Sequence, residues 1–273
     1  ADAVVQYDLS VFCRLMPDWR ELSVGIVGCG NVGGRLYRIL KELGVACQVY
    51  DPFLHADSNP DLVEYGDVLK ANILCFHTPL TRHGPHPTEH LMGRQQLAEL
   101  APGTLLLNAG RGAVIDNRAL VESLALRGDL LVALDVWETE PTIDRALLEL
   151  VAIATPHIAG HSVEGKMRGT EMIFERFLAW RGELDKPHKV IFEQTEELAI
   201  EAVANPINAA ILASYDVSED DQRFRESMHR SANTAHNFDR LRREYPVRHQ
   251  FSHFLCPDAR DCQGDLKSLG FVT

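Results

Sequence analysis

A chain of 273 residues, 45% hydrophobic and 24% charged, has ordinary globular composition and enough length for one large core or two modest ones. Its formal net charge of -12, with no basic patch to offset it, argues against nucleic-acid and anionic membrane partners. Six scattered cysteines without a C-x-x-C pair, no leader-like segment and no apolar run of membrane-spanning length predict reduced thiols in a soluble cytoplasmic protein.

The first predicted element is a helix over 1–15, from the spacing of Val4, Val5, Leu9, Phe12 and Leu15, and Pro17 ends it. Short apolar runs then alternate with amphipathic stretches. Strands are expected over 24–27, 45–50, 73–76, 105–107 and 130–134, with helices over 32–43 (closed by Gly44), around 97–100 and over 119–126. This alternation predicts an α/β fold, a doubly wound parallel sheet of Rossmann type, in which ligands bind beyond the carboxyl ends of the strands. Ser162 is expected to cap a helix running to Trp180 and stopped by Gly182, with Ile173, Phe174, Phe177 and Leu178 on its buried face. After about residue 189 the rhythm stops, and a smaller α+β C-terminal domain is expected. It holds an acidic turn over 216–221, read as a capping box of Ser218 with Asp221, and a basic helix around 240–243.

Gly28-Cys29-Gly30-Asn31-Val32-Gly33 follows a strand and opens a helix, which is the context that gives a G-x-G-x-x-G pattern meaning. The first glycine makes the turn, the second admits a pyrophosphate to the backbone, and the third lets helix and strand pack closely. Gly28, Gly30, Asn31, Val32 and Gly33 are therefore read as dinucleotide contacts. Asp51 ends the second strand 23 residues after Gly28, where its carboxylate can accept from both ribose hydroxyls and repel a 2'-phosphate. The expected cofactor is NAD rather than NADP.

Arg111, Glu140 and His157 each fall just after an apolar strand run. A guanidinium can grip a carboxylate through two parallel hydrogen bonds, an imidazole can exchange the proton of a hydroxyl, and a carboxylate can hold that imidazole in its working tautomer. Together they suit hydride transfer on a 2-hydroxy acid. His83, His86 and His90 mimic a metal string, but Gly84, Pro85 and Pro87 make the segment a loop, and no metal is expected. His77-Thr78-Pro79-Leu80, at the end of the third strand, is placed to line the cofactor pocket.

With these residues assembled, the chain resembles the D-isomer-specific 2-hydroxyacid dehydrogenases. The carrying segments are 24–33, 76–80, 111–117, 134–141 and 156–160, with the narrower Glu164-Gly165-Lys166, Arg168-Gly169-Thr170, Tyr215-Asp216-Val217 and Phe238-Asp239-Arg240-Leu241-Arg242. The resemblance implies that 4-phospho-D-erythronate is oxidised to (R)-3-hydroxy-2-oxo-4-phosphooxybutanoate, with hydride passing to NAD, on the route to pyridoxine 5'-phosphate (vitamin B6). Arg111 then binds the carboxylate or nascent keto oxygen, His157 abstracts the hydroxyl proton, and Glu140 orients His157. Thr78, Ala109, Gly110, Arg111, Asp135 and Gly160 match positions that line the cofactor. His161 stands where the family usually has a substrate-touching tyrosine, so its charge, and with it any contact to a phosphate, is expected to depend on pH.

The same resemblance implies an inter-domain helix in 1–22 left from a substrate domain, an NAD-binding domain over 23–158, a return helix over 159–188 and a dimerisation domain over 189–273 that makes a homodimer. Relatives carry a further half-domain ahead of the first helix, so the chain as given is expected to bind NAD better than it turns over substrate. A dehydrogenase of another D-2-hydroxy acid, a non-catalytic NAD-binding scaffold and a truncated product remain open alternatives.

Overall fold

The computed structural model describes residues 1–183, 196–198, 200, 204–230, 233–257 and 262–273. Its centre is a parallel sheet of β1 (Ser23–Val27), β2 (Ala46–Tyr50), β3 (Ile73–Phe76), β4 (Leu105–Asn108), β5 (Leu131–Leu134) and β6 (Ile153–Ala154), in the order β2-β1-β3-β4-β5-β6. Beyond β2, Leu62 adds a single parallel bridge to Val49, so a further edge strand survives only as two backbone hydrogen bonds. The strand order reverses at β1, and the loops leaving β1 and β3 open a crevice there.

Because helices cover both faces, the strands read as unbroken apolar runs whose alternate residues enter opposite cores. Val24, Ile26, Ile73, Cys75, Leu105 and Leu107 face one side; Val27, Leu74, Phe76, Leu106, Val132 and Leu134 face the other. Around the sheet lie α1 (Asp2–Leu15), α2 (Gly33–Glu42), α3 (Tyr65–Val68), α4 (Arg94–Glu99), α5 (Asn117–Leu126), α6 (Arg145–Leu150) and α7 (Val163–Arg181). Beyond them come β7 (Glu196–Glu197), α8 (Pro206–Ser214), α9 (Val217–His229), α10 (Thr234–Arg243), β8 (Phe254–Leu255) and α11 (Gln263–Leu269), with β7 and β8 pairing in parallel.

The helices after residue 204 share both cores. Ile207, Ala210, Ile211, Leu266 and Leu269 join the face holding α1 and α2, while Phe224, Met228 and Phe238 join the opposite one. Polar groups on α1 complete the junction: Ser10 Oγ donates to Tyr215 O over 2.9 Å and accepts from Val217 N over 3.0 Å, all out of water.

Two local expectations are corrected. Ile173, Phe174 and Phe177 are exposed, and only Leu178 of that group is buried. The acidic turn is capped by Asp216, whose Oδ1 accepts from Ser218 N over 3.0 Å; Asp221 instead accepts from Ala154 N of β6 and pairs with Arg225 one turn along the same helix. Ser162 and Gly182 do bound α7, as a side-chain cap on Gly165 N and a left-handed stop at φ 72°.

Candidate active site

The glycine loop follows β1 because the strand ends at the sheet's reversal point and the chain must turn at once into α2. Gly28 has φ 91°, and its N–H donates to Tyr50 O over 2.8 Å, tying the turn to β2. A Cβ on Gly33 would sit 2.0 Å from Gly28 O, so only glycine lets the helix start so close to the strand. A Cβ on Gly30 would meet nothing within 4 Å, which leaves its backbone open to the cavity. Asp51 Oδ2 accepts from Cys29 N over 2.9 Å and Oδ1 from Phe53 N over 3.0 Å, placing the carboxylate beside this loop.

Two cavities run along the carboxyl edge of the sheet and share Gly30, His77, Thr78 and Pro79. One, of about 330 Å³, is walled by Gly28, Asp51, Phe53 and His86. The other, of about 490 Å³, collects Asn31, Val32, Ala109, Gly110, Arg111, Asp135, His157, Gly160, His161 and Arg242. Thr78 Oγ1, at their junction, is buried and has no hydrogen-bond partner among the described residues. An open glycine cradle, an acid at the adenosine end and an orphaned hydroxyl between them fit an extended dinucleotide.

His157 is aimed by Asp135. The buried Asp135 carboxylate accepts from Ile158 N over 2.7 Å, Ala159 N over 3.0 Å and Thr155 Oγ1 over 2.7 Å, while His157 N donates to Asp135 O over 2.7 Å. This reverses the chain at His157, which takes φ 56°, a left-handed value uncommon for a residue with a side chain. Burial pushes the Asp135 carboxyl upward, and the hydrogen bonds from Thr155, Ala159 and Ile158 oppose it. Asp135 lines the cavity, but its carboxylate is committed to the turn.

Glu140 accepts from His157 Nδ1 over 2.6 Å through Oε1 and from Trp137 N over 3.3 Å through Oε2. A carboxylate only accepts, so Nδ1 carries the proton and Nε2 is left for substrate. Arg111 follows β4, where the buried Asn108 side chain accepts from Gly110 N over 3.1 Å and donates to Arg111 O over 3.0 Å. A Cβ on Gly112 would lie 2.0 Å from the Trp137 carbonyl carbon, so a second glycine presses this loop against the one holding Glu140. Arg111 itself is exposed, with Nη1 resting on Gly110 O at 2.7 Å.

His77 lines both cavities through its backbone. Its imidazole turns inward to Asp8 of α1, Nε2 to Oδ2 at 3.0 Å, with both side chains out of solvent. Burial pushes the Asp8 carboxyl up while His77 pulls it back.

His161 meets Tyr245 edge-on at 5.5 Å, and its buried Nδ1 has no hydrogen-bond partner among the described residues. Burial, followed by the nearby Lys166, Arg242 and Arg248, lowers its pKa from 6.5 to about 4. The imidazole is therefore neutral at physiological pH, and its charge changes only in acid.

His83, His86 and His90 do not converge. His83 and His86 stay exposed, whereas His90 Nε2 lies 2.7 Å from Glu138 Oε1, near Asp116. A second cluster, Glu164 with His249 and His253, is occupied by hydrogen bonds from His249 and Gln250 N.

Sequence reasoning missed Asn108, although an Asn-x-Gly step after an apolar run signals a side-chain-stabilised turn. It also missed Arg242, whose Nε donates to His157 O over 3.2 Å.

Residues 13–159 match the family model described as D-isomer specific 2-hydroxyacid dehydrogenase, NAD binding domain, and residues 192–270 match a domain of unknown function, DUF3410. The chain is 44% identical to an erythronate-4-phosphate dehydrogenase of Teredinibacter turnerae, covering 99% of this chain and 74% of that protein. It is 41% identical to the enzyme of that name from Cellvibrio japonicus, over 99% and 75%. Among solved structures, a D-lactate dehydrogenase from Treponema pallidum is similar with a TM-score of 0.56 and 26% identity, over 67% of this chain and 66% of that one. One from Aquifex aeolicus shares the fold at a TM-score of 0.54 and 22% identity, over 67% and 68%. The chain has the NAD-binding domain of a dehydrogenase, and it belongs to the D-isomer specific 2-hydroxyacid dehydrogenase family.

Proposed function

We propose that the chain oxidises 4-phospho-D-erythronate to (R)-3-hydroxy-2-oxo-4-phosphooxybutanoate in vitamin B6 biosynthesis, with Arg111, Glu140 and His157 as its catalytic residues. The carrying observation is the 2.6 Å His157–Glu140 pair, whose His157 lines the same cavity as Arg111 and Gly30 of the glycine loop. Relatives named for this activity, matched over nearly all of the chain, support the substrate.

Arg111 grips the carboxylate and turns the neighbouring hydroxyl toward His157 Nε2. That nitrogen takes the hydroxyl proton, and Glu140 stabilises the imidazolium that forms. Bound NAD supplies the acceptor for the hydride leaving the same carbon. Gly28, Gly30, Asn31, Val32 and Gly33 hold the pyrophosphate, Asp51 the adenosine ribose, and Thr78, Ala109, Gly110, Arg111, Asp135 and Gly160 the nicotinamide half. Neutral His161 is a hydrogen-bonding contact to substrate.

The same reading divides the chain into an inter-domain helix over 1–22, an NAD-binding domain over 23–158, a return helix over 159–188 and a dimerisation domain over 189–273. Family models over 13–159 and over 192–270 support separating the NAD-binding part from the part after residue 189. It makes the enzyme a cytoplasmic homodimer; among the described residues no helix is long and apolar enough to cross a membrane.

NADH absorbance provides the test. With 4-phospho-D-erythronate and NAD the rate should fall about 100- to 10,000-fold in His157→Ala. Turnover of D-lactate or D-glycerate in preference to the phosphorylated acid would overturn the substrate assignment. A wild-type rate in His157→Ala would overturn the catalytic one.

A further inference from the structure

Arg242 enters the catalytic cavity from α10, outside the stretch 13–159 and inside the stretch 192–270 that matches a family model of unknown function. Its Nε donates to the His157 carbonyl oxygen over 3.2 Å, and its guanidinium carbon lies 6.0 Å from the Phe238 ring centroid. These two contacts anchor the side chain from both ends of the junction between α10 and the catalytic loop. Neither terminal nitrogen makes a hydrogen bond among the described residues, so the outer part of a planar fork remains available at the cavity wall.

A phosphorylated 2-hydroxy acid has two anionic ends: a carboxylate beside the reacting carbon and a distal phosphate. The cavity wall offers two permanent cations among its described residues, Arg111 and Arg242. Arg111 comes from the loop that also meets the cofactor and serves the carboxylate end. His161 is neutral above acid pH and cannot balance a phosphate dianion, which leaves that end of the substrate to a permanent cation.

We propose that Arg242 grips the distal phosphate of the substrate, so that the C-terminal unit reads substrate charge inside the active site. This rests on the substrate reading given above. Arg242 is then a binding and specificity residue. Its hydrogen bond to the His157 carbonyl also couples the phosphate grip to the segment that carries the base.

The test compares 4-phospho-D-erythronate with D-erythronate, the same acid without its phosphate. Arg242→Ala is expected to raise KM for the phosphorylated acid about 10- to 100-fold, the loss of a charge-assisted contact, and to leave KM for D-erythronate and the Kd for NAD unchanged. Arg242→Lys, which keeps the charge and loses the fork, should fall between. Arg243→Ala removes an equal charge from the exposed side of the same helix and should match the wild type.

Equal KM changes for both acids, or a fall in kcat alone, would mean that Arg242 only props the His157 loop and would overturn the proposal. If Arg242→Ala fails to fold by circular dichroism, Arg242→Gln, which keeps a donor for the His157 carbonyl, takes its place. If the wild type does not turn over 4-phospho-D-erythronate, the activity reading fails separately. Calorimetric titration of that compound into the NADH-loaded chain then decides on Arg242: binding lost in the variant supports the grip, and equal binding, or none by the wild type, refutes it.

Discussion

His161 shows how a single side chain is tuned by what surrounds it. Its pKa of about 4 lies below the ordinary 6.5, so the fold favours the neutral ring. The stability this contributes is fully present above about pH 6.5 and is lost as the pH falls through the window down to about 4. His161→Tyr removes the titration. Denaturant unfolding should therefore show the variant gaining on the wild type between pH 7 and pH 4.5, and a constant difference would mean that His161 does not sense this environment. At this scale the positions of Arg111, Glu140 and His157 along the carboxyl edge of the sheet were legible because each lies in a loop that follows a strand run. Arg242 was not, because a cation on a basic helix has the same sequence signature whether it faces water or a cavity. Asp135 was legible as a position only; its work in turning the chain at His157 depends on backbone N–H groups whose directions composition does not encode.

The glycine loop can be dissected at the scale of the element. Gly33→Ala puts a methyl 2.0 Å from Gly28 O, so strand and helix must part, at an expected cost of about 1–3 kcal/mol as well as loss of NAD binding. Gly30→Ala meets no protein atom and should unfold like the wild type while NAD binding weakens. Thermal melts beside fluorescence titration with NADH separate the two; an equal loss of stability in both variants would refute the division of labour. Long periodic elements such as α2, α5 and α7 could be read from their spacing, whereas α3, α6 and the two-residue β6 are too short to establish a period. The buried face assigned to α7 failed for a related reason: apolar spacing identifies a face, not the surface that covers it. Ile173, Phe177 and Trp180 are all exposed.

The whole molecule behaves as one packed body in its described parts because α8, α9, α10 and α11 complete cores begun by the sheet. Ser10→Ala tests this directly. It would strand Tyr215 O and Val217 N out of water, at an expected cost of about 1–3 kcal/mol. The loss should appear in one cooperative transition, with near- and far-ultraviolet circular dichroism coincident. Separate transitions would mean that the C-terminal helices unfold on their own. The parallel sheet was legible from alternation, but the sharing of cores was not, because the Ser10, Trp19 and Asn208 contacts join residues 189 to 205 positions apart.

The Ser10 junction also sets a timetable. Ser10 and Tyr215 are 205 positions apart, so α1 leaves the ribosome well before the backbone groups it must satisfy. At roughly 5–20 residues per second, Ser10 waits about 10–40 s for that partner. During that interval an otherwise core-forming helix presents Val5, Leu9 and Phe12 without its final cover. Slow synthesis therefore prolongs the exposure of this nascent chain to chaperones and to its own copies, and the vulnerability originates at α1.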